Sequence, residues 1–257
     1  MNTTPVTASP IADHPVVSET EWMDQRRSLL QKEKEFTRLG DQLSAERRAM
    51  PWRRIEKDYV FDTPSGRRSL AELFAGRRQL LVQHFMLGPG WPQGCPSCSY
   101  MADHIGGMRP HLAQRDVTVL VVSRAPLAEI ERFRERMGWD FDWVSANGND
   151  FNYDFHVSFT PEERATGQVH YNFGPSPARG EEAPGISAFY EGDGGEVFHT
   201  YSTFGRGVEA MMGTYDMLDL MPKGRDEREV PNKMEWVRHH DRYEPTGNAG
   251  SCCHPEP

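Results

Sequence analysis

Two apolar runs separated by a paired-cysteine loop set the frame of this chain. Residues 79–87 (QLLVQHFML) and 117–123 (VTVLVVS) are mostly apolar with little alternation, the mark of strands covered on both faces. Between them lie the loop LGPGWPQGCPSC and a predicted helix over 99–114 (SYMADHIGGMRPHLAQ). After the second run, residues 126–137 open on proline and repeat Leu127, Ile130, Phe133 and Met137 at helical spacing. Residues 142–146 (DWVSA) read as a third strand. Strand, helix, strand, helix, strand predicts a parallel sheet with right-handed crossovers.

The flanks add to that unit. Residues 186–190 and 197–201 are joined by Glu191-Gly192-Asp193-Gly194-Gly195, turn chemistry that predicts an antiparallel hairpin. Residues 59–61 form a short strand followed by the turn DTPSG, and 69–74 one or two helical turns. A last helix is predicted over 207–220, and a short one around 235–240.

At the front, residues 1–17 are a Pro/Thr/Ser/Ala leader, expected to be disordered. Ser18 and Glu21 have capping-box spacing. From there Trp22, Leu29, Phe36, Leu43 and Met50 recur every seven residues, with Leu30 and Leu39 widening the stripe. This predicts a helix over 18–50, closed by Pro51. Its apolar face either lies on the main domain or joins two copies of the chain as a homodimer arm. The expected division is leader 1–17, helix 18–50, main domain 51–222 and a C-terminal extension 223–257.

Composition narrows the function. With 257 residues the chain can bury one good core. Lys+Arg 29 against Asp+Glu 38 leaves a net charge of −9, which lacks the footprint of a nucleic-acid or anionic-membrane binder. Mean hydropathy is −0.70, and no segment approaches the roughly 18 apolar residues of a span. The first residues lack a basic region and an apolar stretch, so no secretion signal is read. Four cysteines are too few for a disulfide scaffold. A cytoplasmic, reducing setting is expected, and there paired cysteines point to catalysis or metal.

Cys95-Pro96-Ser97-Cys98 stands where a buried strand ends and a helix begins. A cysteine at a helix start faces free backbone N–H groups, which favour thiolate. Three residues on, Cys98 returns to the same face within disulfide reach. Cys95 is therefore the expected nucleophile and Cys98 the resolving thiol, with Pro96 stiffening the first turn.

This order resembles the thioredoxin-like α/β fold, a central mixed sheet flanked by helices. The strings HFMLGPGWPQGCPSCSYMAD, VSRAPLAEIERFRERMGW, GNDFNYDF and FHTYSTFGRG resemble more specifically a bacterial thioredoxin-like family labelled domain of unknown function 899. Its members are described as predicted dithiol-disulfide oxidoreductases. The resemblance implies a cis-proline before the hairpin, facing the cysteines, and Ala183-Pro184 has the matching position. Pro184, Trp91 and Pro96 are the expected substrate-contacting residues. The tryptophan that thioredoxins place before the first cysteine is replaced by Gly94, with Trp91 farther back. Where peroxiredoxins carry Thr or Ser three residues before their cysteine, this chain has Pro92.

The implied reaction is thiol–disulfide exchange with a protein or small-molecule disulfide, reset by an external reductant and requiring no organic cofactor. A thiol peroxidase and a non-enzymatic metal-binding or redox-sensing module are the alternatives. His84 is either a base for Cys98 or a buried structural histidine. Arg124, at the carboxyl edge of the sheet, steadies a thiolate or makes a surface salt bridge. The stretch 147–153 is a polar mouth or a turn with packed rings. No histidine pattern predicts a catalytic zinc. Cys252 and Cys253 close the chain as a solvated end, a swinging redox tail, or, with His254, Cys95 and Cys98, ligands for zinc or copper(I).

Overall fold

The computed structural model describes residues 14–228 and 233–244. They form two compact units. One comprises the residues up to Pro51 with Thr214–Asp226, the other Trp52–Gly213 with the described residues from Glu227 onward.

In the first unit, α1 spans Glu19–Ala49. Ser18 caps it as predicted: its Oγ accepts from the Glu21 N–H at 3.3 Å, and the Glu21 carboxylate accepts from the Ser18 N–H at 3.0 Å. Glu19 and Glu21 begin the helix and Arg47 and Arg48 end it, the arrangement its dipole favours. No residue of α1 is buried, and the seven-residue apolar line stays exposed, Phe36 to 77%.

The second unit starts with β1 (Arg53–Arg54), β2 (Val60–Thr63), β3 (Gly66–Ser69) and a tight turn at Glu72–Phe74. Next come β4 (Gln79–His84), α2 (Pro96–Ala102), α3 (Ile105–Ala113), β5 (Val117–Ser123), α4 (Leu127–Arg136) and β6 (Trp143–Ser145). Then follow α5 (Phe151–Asp154), α6 (Pro161–Ala165), β7 (Gln168–Tyr171), β8 (Gly174–Pro177), β9 (Gly185–Glu191) and β10 (Val197–Phe204). A 3₁₀ stretch at Gly205–Met211 leads to α7 (Gly213–Asp219).

Eight strands make one sheet in the order β1-β10-β9-β4-β5-β6-β2-β3. β4, β5 and β6 run parallel, and β9 and β10 add the antiparallel hairpin beside β4. A central strand that leads into the cysteine helix, parallel partners on one side and a hairpin on the other, is the thioredoxin-like arrangement. β7 and β8 pair separately.

Side-chain alternation divides β4 between two layers. Leu80 and Val82 join Phe74, Phe151, Phe155 and Phe189 in one core. Phe85, just beyond β4, faces the other layer, where its ring lies 4.5 Å from that of Trp143 and 6.2 Å from that of Phe133 of α4.

Several expected elements differ. The helix predicted over 99–114 is two, because the His104 N–H bonds the Met101 carbonyl three residues back at 3.2 Å and tightens the chain between α2 and α3. The helix predicted over 207–220 is broken at Met212, whose φ of −113° and ψ of 58° lie outside the helical region. Around 235–240 there is no α-helix, only a 3₁₀ turn at His240–Arg242: Met234 is left-handed at φ 66°, and Glu227 accepts from both Met234 N–H and Trp236 Nε1. The hairpins of β3 (GRRS) and of β7 with β8 (GPSP) were not predicted, for they hold few apolar residues.

Candidate active site

The loop after β4 is anchored at its end by the Cys95 N–H, which donates to the Met86 carbonyl at 3.1 Å. Cys95 is the N-cap of α2, with Pro96 in the first turn. Its carbonyl starts the helix by accepting from Ser99 N–H and Ser99 Oγ, each at 2.9 Å. Gln83, on the β4 face toward α2, donates from Nε2 to the Cys98 carbonyl at 3.0 Å. Gly94 has no room for a side chain, since a Cβ there would stand 2.5 Å from the Phe85 ring and 2.8 Å from that of Phe133. That contact explains why tryptophan is absent immediately before Cys95.

Both thiols are free; Cys95 is half-buried and Cys98 buried. The Cys98 thiol hydrogen-bonds to the Cys95 sulfur, which lowers the Cys95 pKa to about 6 against the opposing effect of burial. The backbone N–H groups of Cys98 and Ser97 and the Ser97 hydroxyl add to that lowering. The same hydrogen bond, with burial, pushes Cys98 well up. One sulfur is set to ionise and the other to hold its proton.

A carboxylate that sequence reasoning missed stands in the same neighbourhood. The Glu182 side chain is 1% exposed, and its charge adds to the upward pressure on Cys98. Glu182 accepts from Arg124 Nε and from Ser158 Oγ, both at 2.6 Å. Burial raises the Glu182 pKa although these partners oppose it. Arg124 also approaches Glu181 at 3.5 Å and lies over the Tyr153 ring at 5.4 Å. Its salt bridge, expected at the surface, is an inner one. Glu181 in turn accepts from Trp91 Nε1 at 2.6 Å. Trp91 and Arg124 are thus tied to one acidic pair, Glu181-Glu182, two residues before Pro184. The only signal in the sequence was that pair's nearness to the expected proline.

One expectation is corrected, and one of two alternatives is left. No peptide bond among the described residues is cis, so Ala183–Pro184 is trans. The chain reaches β9 already extended: Phe159 N–H bonds the Glu181 carbonyl at 3.0 Å and Ala183 N–H the Val157 carbonyl at 2.8 Å. Tyr171 Oη then donates to the Pro184 carbonyl at 2.7 Å. His84 does not serve Cys98. It points away from Gln83 to the other layer, stacked on Phe151 and Phe155, and burial lowers its pKa to about 3. There it starts a buried hydrogen-bonded chain from its Nε2 through Ser187 Oγ and Ser202 Oγ to His199 Nε2, with steps of 2.8, 2.8 and 2.7 Å.

The stretch 147–153 is a turn leading into α5, with Phe151 buried and Tyr153 under Arg124. Part of the C-terminal extension packs beside the cysteine loop, where the His239 ring Nε2 meets the Gly94 carbonyl at 2.9 Å. Cys252, Cys253 and His254 lie outside the described residues. Among the described residues, no three His, Cys, Asp or Glu side chains are placed to share a metal ion, and no helix is long and apolar enough to cross a membrane.

A family profile described as a bacterial protein of unknown function, DUF899, matches residues 11–243. No curated protein matches the sequence. Among solved structures, the bacterioferritin comigratory protein of Xanthomonas campestris is similar at 12% identity and a TM-score of 0.40, covering 62% of this chain and 90% of that one. A PrxQ variant from Xylella fastidiosa is similar at 15% identity and a TM-score of 0.39, covering 62% and 88%. Peroxidoxin BcpB from Mycobacterium tuberculosis gives 13% identity and a TM-score of 0.39, covering 62% and 93%.

Proposed function

The chain belongs to the DUF899 family of bacterial proteins, and we propose that it is a dithiol–disulfide oxidoreductase with Cys95 as nucleophile and Cys98 as resolving thiol. The observation that carries this reading is the opposed acidity of two sulfurs one helical turn apart. A structural thiol pair has no need of such a split, whereas exchange chemistry requires one thiolate that attacks and one thiol held in reserve.

The Cys95 thiolate attacks one sulfur of a substrate disulfide. A Cys95–substrate disulfide forms, and the other substrate sulfur leaves as thiolate. Cys98 then gives its proton to the Glu182 carboxylate and attacks the Cys95 sulfur. The second substrate thiolate departs, and the Cys95–Cys98 disulfide remains. Two electrons have passed from protein to substrate. The departing thiolates take up protons, one of them from Glu182, and an external dithiol restores the starting state. Arg124 holds Glu182 in place, and Trp91 and Pro184 border the approach.

Trapping tests the assignment. Cys98→Ser, treated with oxidised glutathione, is expected to retain a glutathione adduct at Cys95 by intact-mass measurement, and Cys95→Ser none. Equal labelling of the two variants overturns the roles. A hydrogen peroxide arm separates the peroxidase alternative: consumption of peroxide with a dithiol donor, at a rate exceeding disulfide reduction, would replace the present reading.

A further inference from the structure

On the layer that holds His84, a cavity of about 240 Å³ opens between β1, β10 and the β7–β8 hairpin. Arg53, His156, His170, Asn172 and His199 supply its nitrogen-bearing side chains. Phe155, Phe173 and Phe204 supply apolar wall. This volume is below the range of drug-sized pockets and suits a small ligand.

Three of the lining residues are left-handed, and at two of them glycine is the usual occupant. His156 has φ 54° at the end of α5. Its N–H bonds the Tyr153 carbonyl at 2.9 Å, and the next N–H, of Val157, bonds the Asn152 carbonyl at 3.0 Å. That is the paired pattern of a Schellman motif, whose left-handed residue is usually glycine. Asn172 and Phe173, with φ 53° and 66°, are the two central residues between Tyr171 and Gly174, which pair across the hairpin. This is a type I′ turn, and its second place is normally glycine.

A left-handed residue bearing a Cβ costs on the order of 1 kcal/mol. Burial does not offset that cost here: Phe173 is 71% exposed, and His156 is exposed as well. Both strained side chains nevertheless line one cavity, and Phe173 is stacked edge-on against Phe204 with ring centroids 5.4 Å apart.

The charges define what fits. Asp154 lines the cavity, but its carboxylate accepts from Lys57 Nζ at 2.8 Å and Tyr59 Oη at 2.7 Å. Burial, then the His170 ring 4.5 Å away, lowers the His156 pKa. Burial, then Arg53, brings His199 down to about 4. The lining therefore offers the Arg53 cation, three imidazoles, the Asn172 amide and an exposed ring, with the Asp154 carboxylate engaged by Lys57 and Tyr59.

We infer that this cavity binds a small aromatic carboxylate, its anion against Arg53 and the imidazoles and its ring against Phe173 and Phe204. This inference goes beyond the dithiol reading and stands without it.

Calorimetric titration of the full chain with benzoate tests it, with acetate and benzyl alcohol as the anion without a ring and the ring without an anion. Benzoate is expected to saturate one site and to bind at least about tenfold more tightly than either control. Arg53→Gln is expected to weaken benzoate about tenfold. Phe173→Gly, which relieves the turn, is expected to weaken benzoate at least about threefold while Tm holds or rises. Benzoate that fails to saturate, a control that binds equally well, a Phe173→Gly protein of unchanged affinity, or one of lower Tm would each overturn the inference.

Discussion

Glu182 and Arg124, 58 residues apart in sequence, meet with Nε and Oε1 2.6 Å apart around a carboxylate that is 1% exposed. The Glu182 charge helps to hold the Cys98 proton, and in the proposed mechanism Glu182 receives that proton. Glu182→Gln keeps the shape and removes the base. The first step, formation of the mixed disulfide at Cys95, is expected to proceed at the original rate. Its resolution is expected to slow on the order of 100-fold. Stopped-flow decay of the mixed disulfide measures this, and an unchanged decay rate removes Glu182 from the mechanism.

The thiol hydrogen bond from Cys98 is the largest cause of the low Cys95 pKa. Cys98→Ala deletes it. The pH midpoint of Cys95 alkylation by iodoacetamide is expected near 6 in the parent protein and markedly higher in the variant.

Folding stability of the reduced protein follows with a definite sign. The Cys95 pKa is depressed on folding, so its ionisation favours the native state above the unfolded thiol's pKa, and that contribution is lost as pH falls through about 6. Urea titrations of reduced protein at pH 5 and pH 8 are expected to show the higher midpoint at pH 8. The Cys98→Ala variant is expected to show a smaller difference between the two.

Gly94 is set by packing. Gly94→Ala would bring a methyl group within 2.8 Å of both Phe85 and Phe133, and displacing those rings costs about 1–3 kcal/mol. A lower Tm by calorimetry is expected, and an unchanged Tm would show that the rings yield freely.

Ser18→Ala removes a capping box whose bonds are worth about 1 kcal/mol. Faster amide hydrogen exchange over residues 19–22 is expected, with residues 30–40 of α1 unaffected.

Local pattern is the part of this fold that a linear reading reaches. The start of α1 follows from Ser18 and Glu21, β4 and β5 from their continuous apolar runs, and α4 from the helical spacing of its apolar residues. The cysteine pair was legible for the same reason, a strand ending and a helix starting within one loop. The orientation of His84 was not legible. β4 is apolar on both faces, so alternation alone does not say which side faces α2; packing of Phe151 and Phe155 against the ring decides it.

By itself, the order of residues determined the start of α1, the strands β4 and β5, the helix α4 and the two sulfurs that stand a turn apart, because those features depend on neighbours a few positions away. Only the tertiary structure decided that Glu182 is buried against Arg124 and Ser158, that His84 faces the layer away from α2, and that the bond before Pro184 is trans. Each of these depends on segments distant in sequence, brought together by sheet order and by the burial of charge.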